Sequence, residues 1–411
     1  MENNRIIFHV DVNNAFLSWE AAYRLQIGAN IDLRKIPSAV CGDEKKRHGI
    51  VLAKSLPAKK LEIHTGEPIF AARKKCRNLF TVQPDYDLYI KAGSSLMDIL
   101  TRYTPEVQRF SIDECFLDLT GNHDYINTAY EIKNTIKKEL GFTVNIGISS
   151  NKLLAKMASD FKKPDMIHTL FPWEIKEKMW PLPAQNLFMI GRASIKELHM
   201  LNIFTIGDLA NYDINILQKH FKSYGKIMHD YANGIEDSEI NQNTKIKSIG
   251  NSTTTPFDIC DSDTAKLIIL SLSEMVGMRL RKSKNCCKVI SIGIKGADFC
   301  SSSKQSSLHF VTDSTQVIFN TSYELFKKVW GKNPLRYFRI SVSELSSDKI
   351  VQTTFLERDL NKLNSIDKAI DSIRDAYGTN SVFRCSFLNS GIKPLSSGRE
   401  CSSYPVMSSR L

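Results

Sequence analysis

The chain has 411 residues, enough for two to four domains with a sizeable buried core. Its 55 Lys and Arg against 44 Asp and Glu give a net charge of +11, which favours a polyanionic partner, nucleic acid ahead of anionic membrane. No apolar run approaches the ~20 residues of a membrane span, MENNRIIFHVDVNN lacks the apolar core of a signal peptide, and nine cysteines without C-x-x-C spacing fit neither zinc ribbon nor disulfide framework, so a cytoplasmic protein with reduced thiols is expected.

The first predicted strand, Ile6 to Val10, ends at Asp11, and alternation puts His9 on the same face. A helix follows with Asn14 as N-cap and Phe16, Trp19, Ala22 and Tyr23 at helical spacing. The stretch from about Asp32 to Leu100 reads as an insertion. It has strands AVCG and GIVLAKS joined by DEKKRH, then short helices PAKKLE and EPIFAARKKC, and a helix from about Tyr86 to Tyr103 returns the chain to the sheet. Its basic residues Lys54, Lys59, Lys60, Arg73, Lys74 and Lys75 form either a solvated face or one turned to phosphate.

Next, QRFSIDECFLDL supplies two strands, Val107 to Ser111 and Cys115 to Leu119, with Asp113 and Glu114 at their junction. Two adjacent carboxylates in an apolar run are costly to charge unless a cation neutralises them, and hard oxygen ligands suit Mg²⁺ or Mn²⁺. With Asp11 on the same sheet edge they would make a two-metal site; by themselves they also fit a solvated hairpin tip. A helix from about Asp124 to Leu140 and a strand from Phe142 to Ile148 complete a βαββαβ order. This is the α+β, ferredoxin-like pattern, an antiparallel sheet with two helices on one face. A further helix, capped by Ser150 or Asn151 and ended by Pro164, carries Lys152, Lys156 and Lys163.

From about Asp165 to Gly234 the pattern is helical. LFMIGRASIKELHMLNIFTIGDLA reads either as a helix-hairpin-helix, which grips phosphate through backbone N–H groups, or as a plain helical hairpin, since Met189 stands where the first of two glycines is usual. A polar linker, Ile235 to Lys247, precedes a region with 16 Lys and Arg against 9 Asp and Glu between Lys245 and Lys349. Its strands and helices suit a sheet with one face on helices and the other on a DNA backbone. Arg279, Arg281, Lys288, Lys295, Arg336 and Arg339 are the candidate phosphate contacts. A helix from Ser365 to Tyr377 and a disordered serine-rich tail from about Asn389 to Leu411 close the chain.

DVNNAF after the first strand, SIDECFLDL, and GISSNKLLAKMASDFKKP, in this order, resemble the DinB/UmuC type of Y-family DNA polymerase, and the likeness runs from Arg5 to about Leu388. The resemblance implies a right-hand polymerase. Its ferredoxin-like palm would be residues 1–31 and 76–164, its small fingers 32–75, its helical thumb 165–240 and its α/β little finger 245–350, with 351–411 a C-terminal segment. It implies that Asp11, Asp113 and Glu114, with the Val12 carbonyl, bind two Mg²⁺ ions, Mn²⁺ being an alternative, to add dNTPs to a primer 3′-hydroxyl.

The same likeness gives Phe16 as a steric gate against ribonucleotides, the alternative for that ring being a core position of the first helix. Asn14, Ala15, Leu52, Ala53, Lys59 and Lys163 would surround the nucleotide, and Ile190, Gly191 and Arg192 would hold DNA. Gln352, Phe355 and Leu356 resemble a degenerate sliding-clamp peptide. The chain departs from the family pattern at Leu56, usually Tyr, at Asn13, commonly acidic, and at Ala15, usually aromatic; none is a metal ligand. With no second acidic constellation for proofreading, error-prone translesion synthesis by a monomer is expected. A metal-dependent DNA phosphodiesterase would have no use for Phe16, and a DNA-binding relative without catalysis would not need all three acids.

Overall fold

The computed structural model describes residues 5–43, 49–240, 246–347, 358–388 and 390–392. They divide into two units, residues 5–42 with 50–240, and residues 43 and 49 with the described residues from 246 to 392. Among the described residues no helix is long and apolar enough to cross a membrane. Gln352, Phe355 and Leu356, like most of the serine-rich tail, lie outside the described residues.

The first unit opens with β1 (Ile7–Val12) and α1 (Ala15–Gln26). Asn14 sits at the N-cap position but makes no capping bond: its backbone is left-handed (φ 52°), and its side-chain amide donates instead to the Lys54 carbonyl at 2.6 Å. The inserted segment forms β2 (Ser38–Cys41), β3 (Val51–Lys54), α2 (Leu56–Lys60), α3 (Ile69–Lys75) and β4 (Phe80–Val82). Its three-stranded sheet has the order β3-β2-β4, with β4 parallel to β2. Ala39, Val51, Ala58, Ile63 and Ala72 form its small core.

The chain then makes α4 (Tyr86–Leu100), β5 (Val107–Arg109), β6 (Glu114–Asp118), α5 (Tyr125–Leu140), β7 (Val144–Ser149), α6 (Lys152–Ser159) and β8 (Ile167–Thr169). The strands order as β5-β6-β1-β7-β8. Both neighbours of β1 are antiparallel to it, as the ferredoxin-like pattern requires, whereas β8 is an added parallel edge. Phe8, Val10, Leu117 and Ile146 face Trp19 of α1, Leu96 of α4 and Ile132 of α5 in one core.

The other face is also covered, by α6, so every residue of β1 is buried. Gly147 makes this possible. A Cβ there would stand 1.9 Å from the Ala155 carbonyl oxygen, so only glycine lets α6 lie this close to β7. The helix ends at Ser159, five residues before Pro164, because Asp160 leaves the helical hydrogen-bond pattern.

Helices α7 (Arg192–Met200), α8 (Ile206–Ala210), α9 (Ile214–Phe221) and α10 (Ser223–Ala232) complete the unit around Leu154, Leu198, Ile206 and Leu217. Thr205 and Asp208 form a capping box at α8, so the hairpin between α7 and α8 is closed by its own side chains. Met189, in the place of the expected glycine, does adopt positive φ (74°), and its carbonyl accepts a hydrogen bond from the Tyr224 hydroxyl.

The second unit repeats the βαββαβ order with β9 (Ser248–Ile259), α11 (Ser262–Lys282), β10 (Asn285–Gly296), β11 (Ser301–Thr312), α12 (Thr315–Val329) and β12 (Leu335–Ser347). Its strand order is β11-β10-β12-β9, antiparallel throughout. Ile290, Ile292, Phe338 and Ile340 pack on Ile269 and Leu272 of α11 and Phe326 of α12. The outward positions, including Ser291, Gly293, Arg339 and Ser341, stay polar or small. A last helix, α13 (Arg358–Tyr377), is held to α11 by charge: Arg281 pairs with Asp371 (2.6 Å) and Asp367 (3.3 Å), and Arg374 and Arg384 share Glu274 (3.0 and 2.7 Å).

Candidate active site

Two strands of the first sheet place the acids. In the β1–β6 register Asp11 is directly opposite Glu114, so both side chains leave the same face, about 5 Å apart at Cβ for such a pair. Asp113 ends the tight β5–β6 connection, and its carbonyl accepts from the Val12 N–H at 3.1 Å. Ser111 holds the Asp113 carboxylate through its hydroxyl.

Burial pushes the Asp11 carboxyl up to about 6; Lys163 opposes the rise and Glu114 adds to it. Burial also raises Asp113, with the Ser111 hydrogen bond opposing and the Asp11 charge adding. Negative charge is thus packed where water screens it only in part, Asp11 being buried and Asp113 and Glu114 partly so. Lysines answer part of it. Lys163 pairs with Asp11 and, at 2.7 Å, with Asp160, while Lys156 donates to Glu114 at 3.0 Å. His9 is fully buried with Nδ1 2.8 Å from the Ser159 hydroxyl; burial, then Lys156 and Lys163, hold its imidazole well below the usual range, hence neutral.

As they stand, no three His, Cys, Asp or Glu side chains among the described residues converge closely enough to grip a metal. The donor set nevertheless fits a hard divalent cation in kind: Asp11 and Glu114 face each other, Asp113 is next along the chain, and burial, with a smaller push from neighbouring carboxylates, has raised two of the three.

Around this centre, Phe16 is half-buried and stacked on Tyr89 (centroids 4.5 Å), with Tyr86 edge-on at 6.1 Å. The ring is anchored to the core yet still partly open. Phe16, Leu52 and Ala53 join one apolar cluster with Leu17 and Val40, so α1 and β3 bring three of the expected nucleotide residues together. Ala15 is buried at the start of α1, and Lys59 is exposed on α2. Lys163 is turned to carboxylates, Asp11 and Asp160, rather than to open solvent alone.

Ile190 is partly buried, and Gly191 and Arg192 are exposed at the start of α7. In the second unit Arg339 and Lys288 are exposed, Lys295 lies over the Tyr337 ring and Arg336 over Phe299. Two of the expected phosphate contacts are engaged elsewhere. Arg281 is buried in its ion pairs with α13, and Arg279 donates to the Gly250 carbonyl at 3.1 Å.

Nothing in the sequence singled out Asn145 or the role of Lys156. Asn145 is opposite Asp11 on β7; it accepts from Asn13 (3.0 Å) and donates to the Lys162 carbonyl (2.7 Å). Asn13 in turn accepts from the Asp165 N–H at 2.8 Å, so two amides pin the loop that carries Lys163. An amide both donates and accepts, which a charged carboxylate at residue 13 could not do.

Residues 10–160 match the model of the impB/mucB/samB family, and residues 246–355 match that of its C-terminal domain. The chain belongs to the impB/mucB/samB family. Among this family's curated proteins, the chain is 47% identical to DNA polymerase IV of Clostridium acetobutylicum, over 94% of its own length and 98% of the relative. It is 37% identical to DNA polymerase IV of Acetivibrio thermocellus, over 92% and 96%. A solved Y-family DNA polymerase chimera superposes with a TM-score of 0.74, at 21% identity, over 83% of this chain and 99% of that one. This impB/mucB/samB chain therefore has the mixed α+β fold of a Y-family polymerase, as its motifs led us to expect.

Proposed function

We infer that this chain is a DNA-directed DNA polymerase that extends a primer on damaged templates. The observation that carries the inference is the likeness to DNA polymerase IV of C. acetobutylicum, 47% identical over nearly the whole of both chains. The facing Asp11 and Glu114 supply the matching chemistry. Divalent cations are implied by this relationship; we propose two Mg²⁺ ions, with Mn²⁺ accepted, held by Asp11, Asp113, Glu114 and the Val12 carbonyl. When bound, such ions make a primer 3′-hydroxyl more acidic and neutralise a leaving pyrophosphate.

The protein's own groups do the rest. Lys163 and Lys59 supply positive charge to the triphosphate, and Leu52 and Ala53 roof the nascent base pair. Asn14 and Ala15 shape the turn beneath the sugar, and Phe16, stiffened by its stack on Tyr89, would clash with a 2′-hydroxyl. The N–H groups of Gly191 and Arg192 would meet a DNA phosphate, with Ile190, whose own N–H donates to the Leu187 carbonyl, shaping the turn. The open face of the second sheet, with Lys288, Lys295, Arg336 and Arg339, would follow the backbone.

In this reading residues 1–31 and 76–164 are palm, 32–75 fingers, 165–240 thumb and 245–350 little finger. The protein works as a cytoplasmic monomer, and Gln352, Phe355 and Leu356 are offered to a sliding clamp. Primer extension with Mg²⁺, dNTPs and a lesion-bearing template tests the reading. Templated, lesion-tolerant extension is expected, and cleavage without extension would replace it with a phosphodiesterase. A Phe16→Ala protein is expected to accept ribonucleotides; continued exclusion would reduce Phe16 to a core residue.

A further inference from the structure

Lys156 is buried (7% exposed) and donates to Glu114 Oε1 at 3.0 Å. Its ammonium lies over two phenylalanine rings at once, 5.3 Å from the centroid of Phe110 and 5.4 Å from that of Phe188. The rings themselves meet edge to face at 6.1 Å. Phe110 leads into the acidic turn, whereas Phe188 comes from the segment before α7, two residues from Ile190. Ile7, Phe116 and Ala155 pack behind them and keep the pocket apolar.

An ammonium beside two touching rings is attracted to both and loses the freedom to swing towards water. A flexible lysine is thereby fixed at one point, and one of its three protons stays aimed at Glu114. We propose that Phe188, acting through Lys156, is a positioning residue for the Glu114 carboxylate, so that the segment leading into the DNA-facing turn also sets a metal ligand. This proposal rests on the reading of Asp11, Asp113 and Glu114 as cation ligands.

The test measures Mn²⁺ binding to the full chain by electron paramagnetic resonance, without DNA or nucleotide, alongside steady-state extension. Phe188→Leu is expected to weaken Mn²⁺ binding about fivefold, the scale of one cation–π contact, and to lower kcat with KM for dNTP unchanged. Phe188→Trp, which restores a ring face, is expected to recover both. In a Lys156→Met background Phe188→Leu should have no further effect, because the connection is already cut. If Phe188→Leu lowers only DNA affinity or melting temperature, with Mn²⁺ binding intact, Phe188 merely packs and the proposal is overturned. Glu114→Gln separates the two levels. Unchanged Mn²⁺ binding in that protein would defeat the ligand reading itself; weakened binding there, with none in Phe188→Leu, would defeat only the positioning role.

Discussion

The two units use one element order, βαββαβ, for opposite ends. In the first, β1 is sealed on both faces, by α4 and α5 on one side and α6 on the other, and its one acid, Asp11, is held in a low-dielectric interior. In the second, both long helices lie on one face of the sheet, and β11 is exposed along most of its length. Strand order differs too: β1 sits between β6 and β7, whereas the first strand of the second unit, β9, is an edge. Covering the second face turns a sheet into a place where charge is perturbed; leaving it bare keeps the polar face that the proposed DNA contacts require. What an element order does therefore depends on which faces its neighbours close.

The sharpest way to break this comparison is to remove charge from the sealed sheet. Asp113→Ala is expected to reduce primer extension roughly 10³-fold while DNA affinity stays near wild type, since several kcal/mol of charge stabilisation disappear. Extension at the unaltered rate would show that the interior acids do no chemistry. In the second unit buried charge sits on the helix side. Arg281→Ala strands Asp367 and Asp371, and should cost about 3 kcal/mol in urea unfolding of the full chain.

Asp11 gives a pH test of the sealed face. Its carboxyl moves from 3.8 to about 6 on folding, so between those values the folded metal-free protein holds more protons than the unfolded chain. Stability contributed by this group is present below pH 3.8 and is lost as pH rises towards 6. Asp11→Asn should remove that slope and leave the metal-free protein about 2 kcal/mol more stable at pH 7.5, a gain opposite in sign to its loss of activity. Equal stability and equal slope in calorimetry would mean the carboxyl is not strained by its burial. The mildest effect belongs to the open sheet. Lys295→Ala with Arg339→Ala should lower DNA affinity and reduce the slope of log K against log salt by about 2, with extension at saturating DNA unchanged.

Much of this was legible in the chain. The β5–β6 hairpin announced itself because apolar alternation is interrupted by two acids at a turn, and α5 because Ala129, Ile132 and Ile136 recur at helical spacing. Three-residue strands such as β4 and β8 were not legible, since both exist only by pairing in parallel with strands distant in sequence. Position 281 misled for a related reason. An arginine beside lysines looks like a phosphate contact until a later helix supplies Asp367 and Asp371. The rings around Lys156 were equally hidden, as nothing local links Phe110 to Phe188. Asn13 was read as a missing acid, but its amide is needed to satisfy groups from two other segments, the start of β7 and the loop after α6.

The lock between α13 and α11 bears on how the C-terminus can be dissected. A protein shortened before residue 358, designed to discard the clamp-like peptide, would also strip Arg281 and Glu274 of their counter-ions and empty the seat of Phe387 in the second core. Poor processivity in such a truncation would then report a weakened DNA platform as much as a lost docking peptide. Point changes at Gln352, Phe355 and Leu356 within the intact chain are the cleaner dissection.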